Sequence, residues 1–135
     1  MKFNFEKLSK SYRKKKLLVV GDVILDAYVW GIVNRMSPEA PVPIVQSGEH
    51  GQQPGGAANV ALNLTNLGAK VSLVGLVGDD DEGVSLTNAL SNDANINTHL
   101  LVDQGRPTTI KTRVIANGHH VVRIDREQLD PIRTE

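Results

Sequence analysis

An uninterrupted apolar run marks the first predicted strand of this chain. Leu17–Val20 contains no polar position and ends at Gly21. Such a run is typical of a strand that is buried on both faces, as in a parallel sheet. We expect the strand to continue from Val23 to Ile32, with Asp26 embedded in it.

Helical and extended patterns alternate after that strand. Residues 57–67 predict a helix, because their apolar side chains recur at helical spacing. The predicted apolar face consists of Ala57, Val60, Ala61, Leu64 and Leu67. Gly68 stands where a C-terminal cap belongs. Residues 70–77 predict a second buried strand, 81–90 a second helix and 98–102 a short strand, so the order predicts an α/β fold with a doubly wound sheet.

The last part of the chain has the pattern of a β-hairpin. Thr108–Ala116 alternates between two faces of a predicted strand, which places Lys111 and Arg113 on the same face. Asn117-Gly118 favours a type I′ turn, since both central residues of that turn need a positive φ. We expect residues 119–125 to return as the partner strand.

One stretch combines prolines with strand-forming residues. RMSPEAPVPIV, residues 35–45, contains Pro38, Pro41 and Pro43 next to valine and isoleucine. Proline lacks an amide donor and is confined to edge strands or strand ends. The stretch therefore predicts an edge strand that leaves the main sheet.

Composition narrows the class of protein. The chain has 135 residues, no cysteine and a formal net charge of zero. Disulfides and cysteine-based catalysis are excluded, and a nucleic-acid or anionic-membrane surface is disfavoured. Residues 1–16 lack an apolar core, so they predict a terminal arm or short helix anchored by Phe3, Phe5 and Leu8, and not a secretory signal. We expect a soluble, cytoplasmic protein.

Candidate chemistry begins at a glycine pair. Gly55 and Gly56 would let a ligand approach the backbone and lead into a helix whose N–H groups face it, and Asn59 would bind hydroxyls from the first turn. A plain loop-to-helix junction explains the same residues. The acidic run 79–81 would bind Mg²⁺ or form a solvated helix start, and the four histidines have no metal-ligand spacing.

These motifs resemble a known family. Gly55-Gly56-Ala57-x-Asn59-x-Ala61, followed by Gly68 and Gly78, resembles the first signature of the ribokinase-type (PfkB) carbohydrate kinases, and VVGDVILD resembles their first strand. RMSPEAPVPIV, RPTTIKTRVIA and VVRID resemble the heptose 7-phosphate kinase branch, which occurs in bifunctional ADP-heptose synthases. The resemblance runs from about residue 17 to 126.

The resemblance implies roles for the sugar-binding residues. Asp26 would bind sugar hydroxyls, Gly55 and Gly56 would admit the sugar to the backbone, and Asn59 would bind it from the start of the helix. It also implies a ribokinase-like fold with a small β lid, formed by residues of about 28–46 and 108–125. The lid of this family also forms a homodimer contact.

A basic group suits a phosphorylated sugar. Lys111, Arg113 and Arg123 would bind the 7-phosphate through charge-assisted hydrogen bonds. An exposed hairpin face explains Lys111 and Arg113 equally well, and a surface pair explains Arg123 with Asp125. These alternatives stay open at the level of sequence.

The resemblance implies that the catalytic base and the nucleotide site belong to a segment that is absent from this sequence. The family's catalytic base lies in a Gly-Ala-Gly-Asp motif, which is absent here. We therefore expect no catalytic residue and no metal ligand in this chain, with the ATP and Mg²⁺ site in the missing C-terminal part. The chain would be a sugar kinase domain truncated before its nucleotide-binding half and inactive alone.

The implied activity is ATP-dependent phosphorylation of D-glycero-β-D-manno-heptose 7-phosphate at O1, in the synthesis of ADP-heptose for lipopolysaccharide core. Another sugar kinase of the same family is one alternative. A non-catalytic sugar-binding or interaction module is the other.

Overall fold

The computed structural model describes residues 5–13 and 15–132. Its elements are α1 (Phe5–Tyr12), β1 (Lys16–Val20), β2 (Val23–Met36), β3 (Pro43–Gly56), α2 (Ala57–Asn66), β4 (Lys70–Gly78), α3 (Asp81–Ser91), β5 (Ile96–Asp103), β6 (Thr109–Ala116) and β7 (His119–Arg126). The predicted anchor Phe3 and the side chain of Phe5 lie outside the described part of the chain.

The strands form two separate sheets. β1, β4 and β5 pair in parallel as a three-stranded sheet in the order β1-β4-β5. The other four strands form a mixed sheet in the order β3-β2-β6-β7, in which only β2 and β6 are parallel. The mixed sheet uses more of the chain than the segments predicted for a lid.

The prediction of one strand from Leu17 to Ile32 is wrong. The chain changes sheets at Gly21-Asp22, between β1 and β2. The amide of Gly21 still donates to the Val74 carbonyl of β4, at 3.2 Å, whereas the Asp22 carbonyl accepts from the Ala57 amide at the start of α2, at 2.9 Å. The backbone groups at the break are therefore satisfied by two different elements, which separates the strands.

β1 is also less buried than its apolar sequence predicts. Leu18 and Val20 are 67% and 68% exposed. Residues of α2 pack against the inner face of the parallel sheet. On that face Leu73 belongs to the core, and Val19 packs against it. The outer face of β1 is open, so this strand is half-buried.

The predicted apolar face of α2 is only partly correct. Ala61 is fully buried, but Val60 and Leu67 are each 49% exposed. The buried face includes Thr65 instead, because its hydroxyl donates to the Leu62 carbonyl at 3.0 Å and is therefore satisfied inside the protein. The helix ends at Asn66, and Gly68, at the predicted C-terminal cap, has a φ of 94°.

The core lies between the parallel sheet and the two helices α2 and α3. Its fully buried members are Val23, Leu25, Ala58, Ala61, Val71, Leu73, Val77, Leu86 and Leu90. Two of these residues belong to the beginning of β2, so the mixed sheet is anchored in the same core. Ile110 of β6 also packs against this core.

The proline stretch is a hairpin, of which only the second strand, β3, lies at the predicted sheet edge. Pro38 and Pro41 lie in the loop 37–42, where the Ser37 amide donates to the Val42 carbonyl at 2.8 Å. Pro43 opens β3 opposite Met36. Prolines fit here because a turn and a strand end need fewer amide donors than a ladder does.

The second hairpin has the predicted turn. Asn117 and Gly118 have φ values of 51° and 78°, as a type I′ turn requires. The side-chain amide of Asn117 donates to the Val33 carbonyl at 3.2 Å. The backbone N–H of Asn117 donates to the Gly31 carbonyl, also at 3.2 Å. The turn is therefore fixed to β2.

Candidate functional site

One face of the mixed sheet collects most of the predicted site residues. Asp26 on β2 lies opposite Lys111 on the parallel strand β6, and Arg113 lies opposite Tyr28. Arg113 in turn lies opposite Arg123 on β7. Since directly opposed residues project to the same side of a sheet, these side chains share one face. We call it the Asp26 face.

Asp26 and Arg113 form an ion pair at the centre of this face. Arg113 Nη1 donates to Asp26 Oδ1 at 2.6 Å, and the two side chains are 26% and 17% exposed. The hydrogen bond to Asp26 raises the pKa of Arg113 above its usual value. Arg113 therefore stays charged and fixes the direction of the Asp26 carboxylate.

The glycine pair is required by the protein itself. A Cβ at Gly55 would collide with the Asp26 carboxylate, and Gly56 has a φ of 55°, which other residues rarely adopt. The first amide of α2 is already bound by the Asp22 carbonyl. The pair shapes the backbone around Asp26, and the Ala57 amide does not point freely at a ligand.

Asn59 lies on the exposed side of the first turn of α2. Its side-chain oxygen accepts from Asn63 Nδ2 at 3.2 Å, and its carbonyl accepts from the same amide at 2.9 Å. The side chain is accessible, and a ligand would have to share its oxygen with Asn63.

Lys111 and Arg123 are paired with carboxylates. Lys111 Nζ lies 3.2 Å from Asp125 Oδ2 and 3.0 Å from Glu127 Oε2. Arg123 binds both oxygens of Asp125, at 2.8 and 2.9 Å. The hydrogen bond to Glu127 raises the pKa of Lys111, and the hydrogen bond from Arg123 lowers the pKa of Asp125.

The charged cluster on the Asp26 face is formally neutral. Its three cations are Lys111, Arg113 and Arg123, and its three carboxylates are Asp26, Asp125 and Glu127. A cluster without net charge does not attract a phosphate at long range. A phosphate would have to share these cations with their carboxylate partners, or displace one of those partners, to bind them directly.

A cleft of about 560 Å³ adjoins this cluster. It lies at the carboxyl end of β1 and against the middle of β4, where Gly21, Asp22 and Gly75 line it together with Lys111 and Glu127. The carboxyl ends of parallel strands are the usual position of ligand sites in open α/β sheets. The cleft therefore joins the charged cluster to the parallel sheet.

Two aromatic residues on the Asp26 face were not predicted to belong to the site. The rings of Tyr28 and Trp30 stack with centroids 5.3 Å apart, and the Arg113 guanidinium lies 5.5 Å from the Tyr28 centroid. The sequence contained a signal, because Asp26, Tyr28 and Trp30 alternate with apolar residues and so share a strand face.

Asp80 is not the solvated residue that the acidic run 79–81 predicts. Its Oδ1 accepts from the Gly83 amide at 2.9 Å and from the Thr108 hydroxyl at 2.5 Å, and Arg126 reaches Oδ2 at 3.1 Å. Burial alone would raise the pKa of Asp80, but the bonds from Thr108 and Gly83 and the charge of Arg126 outweigh it and lower the pKa. Asp80 connects α3 to the mixed sheet.

The described residues do not form an obvious place for a metal ion. Within residues 5–13 and 15–132, no group of three or more histidine, aspartate and glutamate side chains has a metal-binding arrangement. Among the three acidic residues 79–81, Asp80 is committed to protein partners. The same part of the chain contains no helix that is long and apolar enough to cross a membrane.

The fold is that of the carbohydrate kinases. A carbohydrate kinase from Agrobacterium tumefaciens matches 82% of this chain with a TM-score of 0.67 and 25% identity, over 35% of its own length. A fructokinase with bound ATP from Xylella fastidiosa matches 83% of this chain with a TM-score of 0.62 and 24% identity, over 33% of its length. The predicted ribokinase-like α/β fold is confirmed.

The chain belongs to the pfkB family of carbohydrate kinases, whose family profile matches residues 14–135. The protein named bifunctional protein HldE of Helicobacter pylori strain P12 is 52% identical over 90% of this chain, and that of Hyphomonas neptunium is 45% identical over 87%. The matched regions span 26% and 24% of those proteins. This chain therefore covers about a quarter of the length of these relatives.

Proposed function

We propose that this chain is the sugar-binding part of a kinase that phosphorylates O1 of D-glycero-β-D-manno-heptose 7-phosphate with ATP. The product would serve ADP-heptose synthesis for lipopolysaccharide core in the cytoplasm. The similarity to HldE proteins over about nine-tenths of the chain supports the heptose branch. The sugar-binding role is supported mainly by one observation. The ion pair between Asp26 and Arg113 has Gly55 and Lys111 directly beside it.

The ion pair prepares Asp26 to bind hydroxyl groups. Arg113 occupies one carboxylate oxygen of Asp26 and leaves the other as an acceptor for sugar O–H groups. Gly55 keeps the space beside the carboxylate free of a side chain. The carboxylate is therefore fixed before the sugar arrives, which reduces the entropy lost on binding.

The 7-phosphate would bind Lys111 by replacing one of its two carboxylate partners. Lys111 has two carboxylate partners, and the Glu127 side chain follows the end of β7. A phosphate that replaced Glu127 would bind Lys111 and leave the Arg123–Asp125 pair intact. Binding should therefore weaken with rising salt.

ATP would supply the transferred phosphoryl group. These residues provide neither a Gly-Ala-Gly-Asp segment nor a recognisable Mg²⁺ ligand set within the described chain, and we assign no catalytic step to them. We expect this chain to bind the sugar without releasing ADP.

A sugar without a phosphate is the second candidate substrate. The neutral cluster favours it, because three paired cations leave no excess positive charge for an anion. Such a substrate would place the protein among other sugar kinases of the family, or make this chain a sugar-binding module without catalysis.

Calorimetry distinguishes these candidates. The chain is titrated with heptose 7-phosphate and with the same heptose lacking the phosphate, each at low and high salt. Tighter and salt-sensitive binding of the phosphorylated sugar supports the proposal. Equal, salt-insensitive affinities support the second candidate, and binding of neither sugar contradicts both.

We also propose that the mixed sheet forms a homodimer contact. Several of its apolar side chains are exposed, among them Val42 in the hairpin loop at 51%, Ile124 at 59% and Met36 at 56%. An exposed apolar group of this kind is typical of an interface. Sedimentation should show a dimer that Val42→Asp weakens, and a monomer at all concentrations would contradict the contact.

A further inference from the structure

Residues 127–132 follow β7 as a short segment without regular secondary structure, which we call the strap. All six of its residues line the cleft, together with Val74 and Leu76 of the parallel sheet. The strap is therefore one wall of the cleft. Its apolar side chains do not pack tightly there, because Leu129 is 85% exposed and Ile132 is 61% exposed.

Two cations hold the strap in place. Lys111 Nζ lies 3.0 Å from Glu127 Oε2 at the beginning of the strap. Arg106 Nη2 donates to the carbonyls of Asp130 and Pro131 near the other end, at 3.3 Å each. Within the described part of the chain, the strap has no hydrogen bond between its backbone and another backbone group, since the ladder between β6 and β7 ends before it. The strap therefore depends on contacts with these two side chains.

These contacts are weak enough for the strap to move. Half-exposed ion pairs contribute little to stability, and hydrogen bonds of 3.3 Å are longer than usual. Segments with few buried apolar contacts open locally at a small cost in free energy. The end of β7 is held more firmly, because it pairs with β6 and because Arg126 binds Asp80 at 3.1 Å and Glu82 at 2.8 Å. The strap can therefore move without disturbing the sheet.

Glu127 links the strap to the proposed phosphate site. A phosphate that replaces Glu127 at Lys111 breaks the only ion pair that the described residues form with the strap. Lys111 keeps its second partner, Asp125, which belongs to β7 and not to the strap. A sugar hydroxyl carries no charge and would compete with the Glu127 carboxylate far less well than a phosphate would. Release of the strap therefore requires the phosphate group.

We propose that the strap is a gate over the cleft, and that it opens when the phosphate of a bound sugar takes the place of Glu127 at Lys111. The inference rests on the proposed function, because it requires a phosphate at this lysine. Opening removes one wall of the cleft and uncovers Val74 and Leu76. Binding of a sugar phosphate on the Asp26 face is thereby coupled to access to the carboxyl end of β1. A sugar without a phosphate leaves the gate closed.

This coupling is reciprocal, so a looser strap should bind the sugar phosphate more tightly. Arg106→Lys tests it, because lysine keeps a cation for Asp103, 2.9 Å from Arg106 Nε, and lacks the fork that reaches the strap. The substitution leaves the charge of the cluster around Lys111 unchanged. Calorimetry should show about twofold tighter binding of heptose 7-phosphate and unchanged binding of the heptose without phosphate. Unchanged binding of both would contradict the coupling.

The chain contains no cysteine, so the strap can be followed with spin labels at introduced cysteines. Leu129→Cys labels the strap, and Val84→Cys labels α3 at a position that is 60% exposed. The distance between the labels, measured by pulsed electron spin resonance, should change with heptose 7-phosphate and not with the heptose that lacks the phosphate. Glu127→Gln should shift this distance without any ligand. Asp130→Asn is the matched control, because among the described residues its carboxylate bonds only to Gln128 of the strap itself.

Four results would overturn the inference. If calorimetry shows binding of heptose 7-phosphate and the label distance stays constant, the strap is not a gate and the proposed function stands. If the heptose without phosphate changes the distance equally, exchange at Lys111 is not the trigger. An unchanged distance in Glu127→Gln would show that Lys111 does not hold the strap. If the chain binds neither sugar by calorimetry, the proposed function and the gate are both wrong.

Discussion

The parallel sheet and the mixed sheet of this protein are stabilised by different interactions. The parallel sheet packs on two helices through side chains such as Leu73, Leu86 and Leu90, each fully buried. The mixed sheet instead carries ion pairs on one face, and every residue of β7 is exposed. Apolar burial contributes most to stability, whereas half-exposed ion pairs contribute little. Substitutions in the parallel sheet should therefore mainly lower stability, and substitutions on the charged face of the mixed sheet should mainly change binding.

β2 connects the two regions. Val23 and Leu25 belong to the core, and Asp26 follows directly on the opposite face of the same strand. The core thus fixes the position of Asp26 without covering it. A rigid strand is a better support for a binding carboxylate than a loop would be.

The largest loss of stability is expected from the core of the parallel sheet. Leu86→Ala should lower the free energy of unfolding by about 3 kcal/mol, because it leaves a cavity beneath α3. Val84→Ala in the same helix is the matched control, since Val84 is 60% exposed. Urea denaturation of both variants measures the difference, and equal losses would contradict the position of the core.

Substitution of Asp80 should give the next largest loss of stability, because its side chain connects the two regions. Asp80→Asn weakens the cap of α3 and the bonds to Thr108 and Arg126, and should lower stability by about 2 kcal/mol. Asp79→Asn is the control, since Asp79 lies exposed beside it. If the two variants unfold at the same urea concentration, Asp80 does not connect the regions.

The lowered pKa of Asp80 adds a pH dependence to this effect. Its stabilising contribution is complete above the ordinary carboxyl pKa of 3.8 and is lost as the pH falls through the lower folded value. The wild-type protein should therefore lose more stability than Asp80→Asn on acidification from about pH 5 to pH 3. Parallel losses in urea denaturation would show that Asp80 does not titrate in this way.

A smaller effect, on binding and not on stability, is expected at the edge of the mixed sheet. Glu127→Gln should remove one of the two carboxylate partners of Lys111, give the cluster one net positive charge and tighten binding of heptose 7-phosphate about threefold. The unfolding free energy should change by less than about 0.5 kcal/mol. Calorimetry at two salt concentrations measures this gain. A loss of affinity would show that Glu127 itself binds the sugar.

Local features of the fold could be predicted from the sequence, and pairing between distant strands could not. Asn117-Gly118 determines its own turn through backbone conformation, so the second hairpin was predictable. The break at Gly21-Asp22 depends on which strands pair with β1 and β2, and no local pattern encodes that choice. The pairing of Lys111 with Glu127 could not be predicted for the same reason, because it depends on the register of β6 and β7.

The candidate site was predictable to a similar extent. Asp26 and the glycine pair were identified from motifs, and the structure adds that Gly55 is needed beside the Asp26 carboxylate. Tyr28 and Trp30 were missed because aromatic residues in a strand are more often interpreted as core. In the structure, Arg113 contacts both Tyr28 and Asp26, which places the rings on the Asp26 face.

The central claim is that the Asp26 face of the mixed sheet binds the sugar. Calorimetric titration of wild type and Asp26→Asn with heptose 7-phosphate tests it most directly, with Glu39→Gln in the exposed hairpin loop as a charge-matched control. We predict that Asp26→Asn weakens binding at least tenfold, about 1.4 kcal/mol, while Glu39→Gln binds like wild type. Equal affinity in wild type and folded Asp26→Asn would contradict the account.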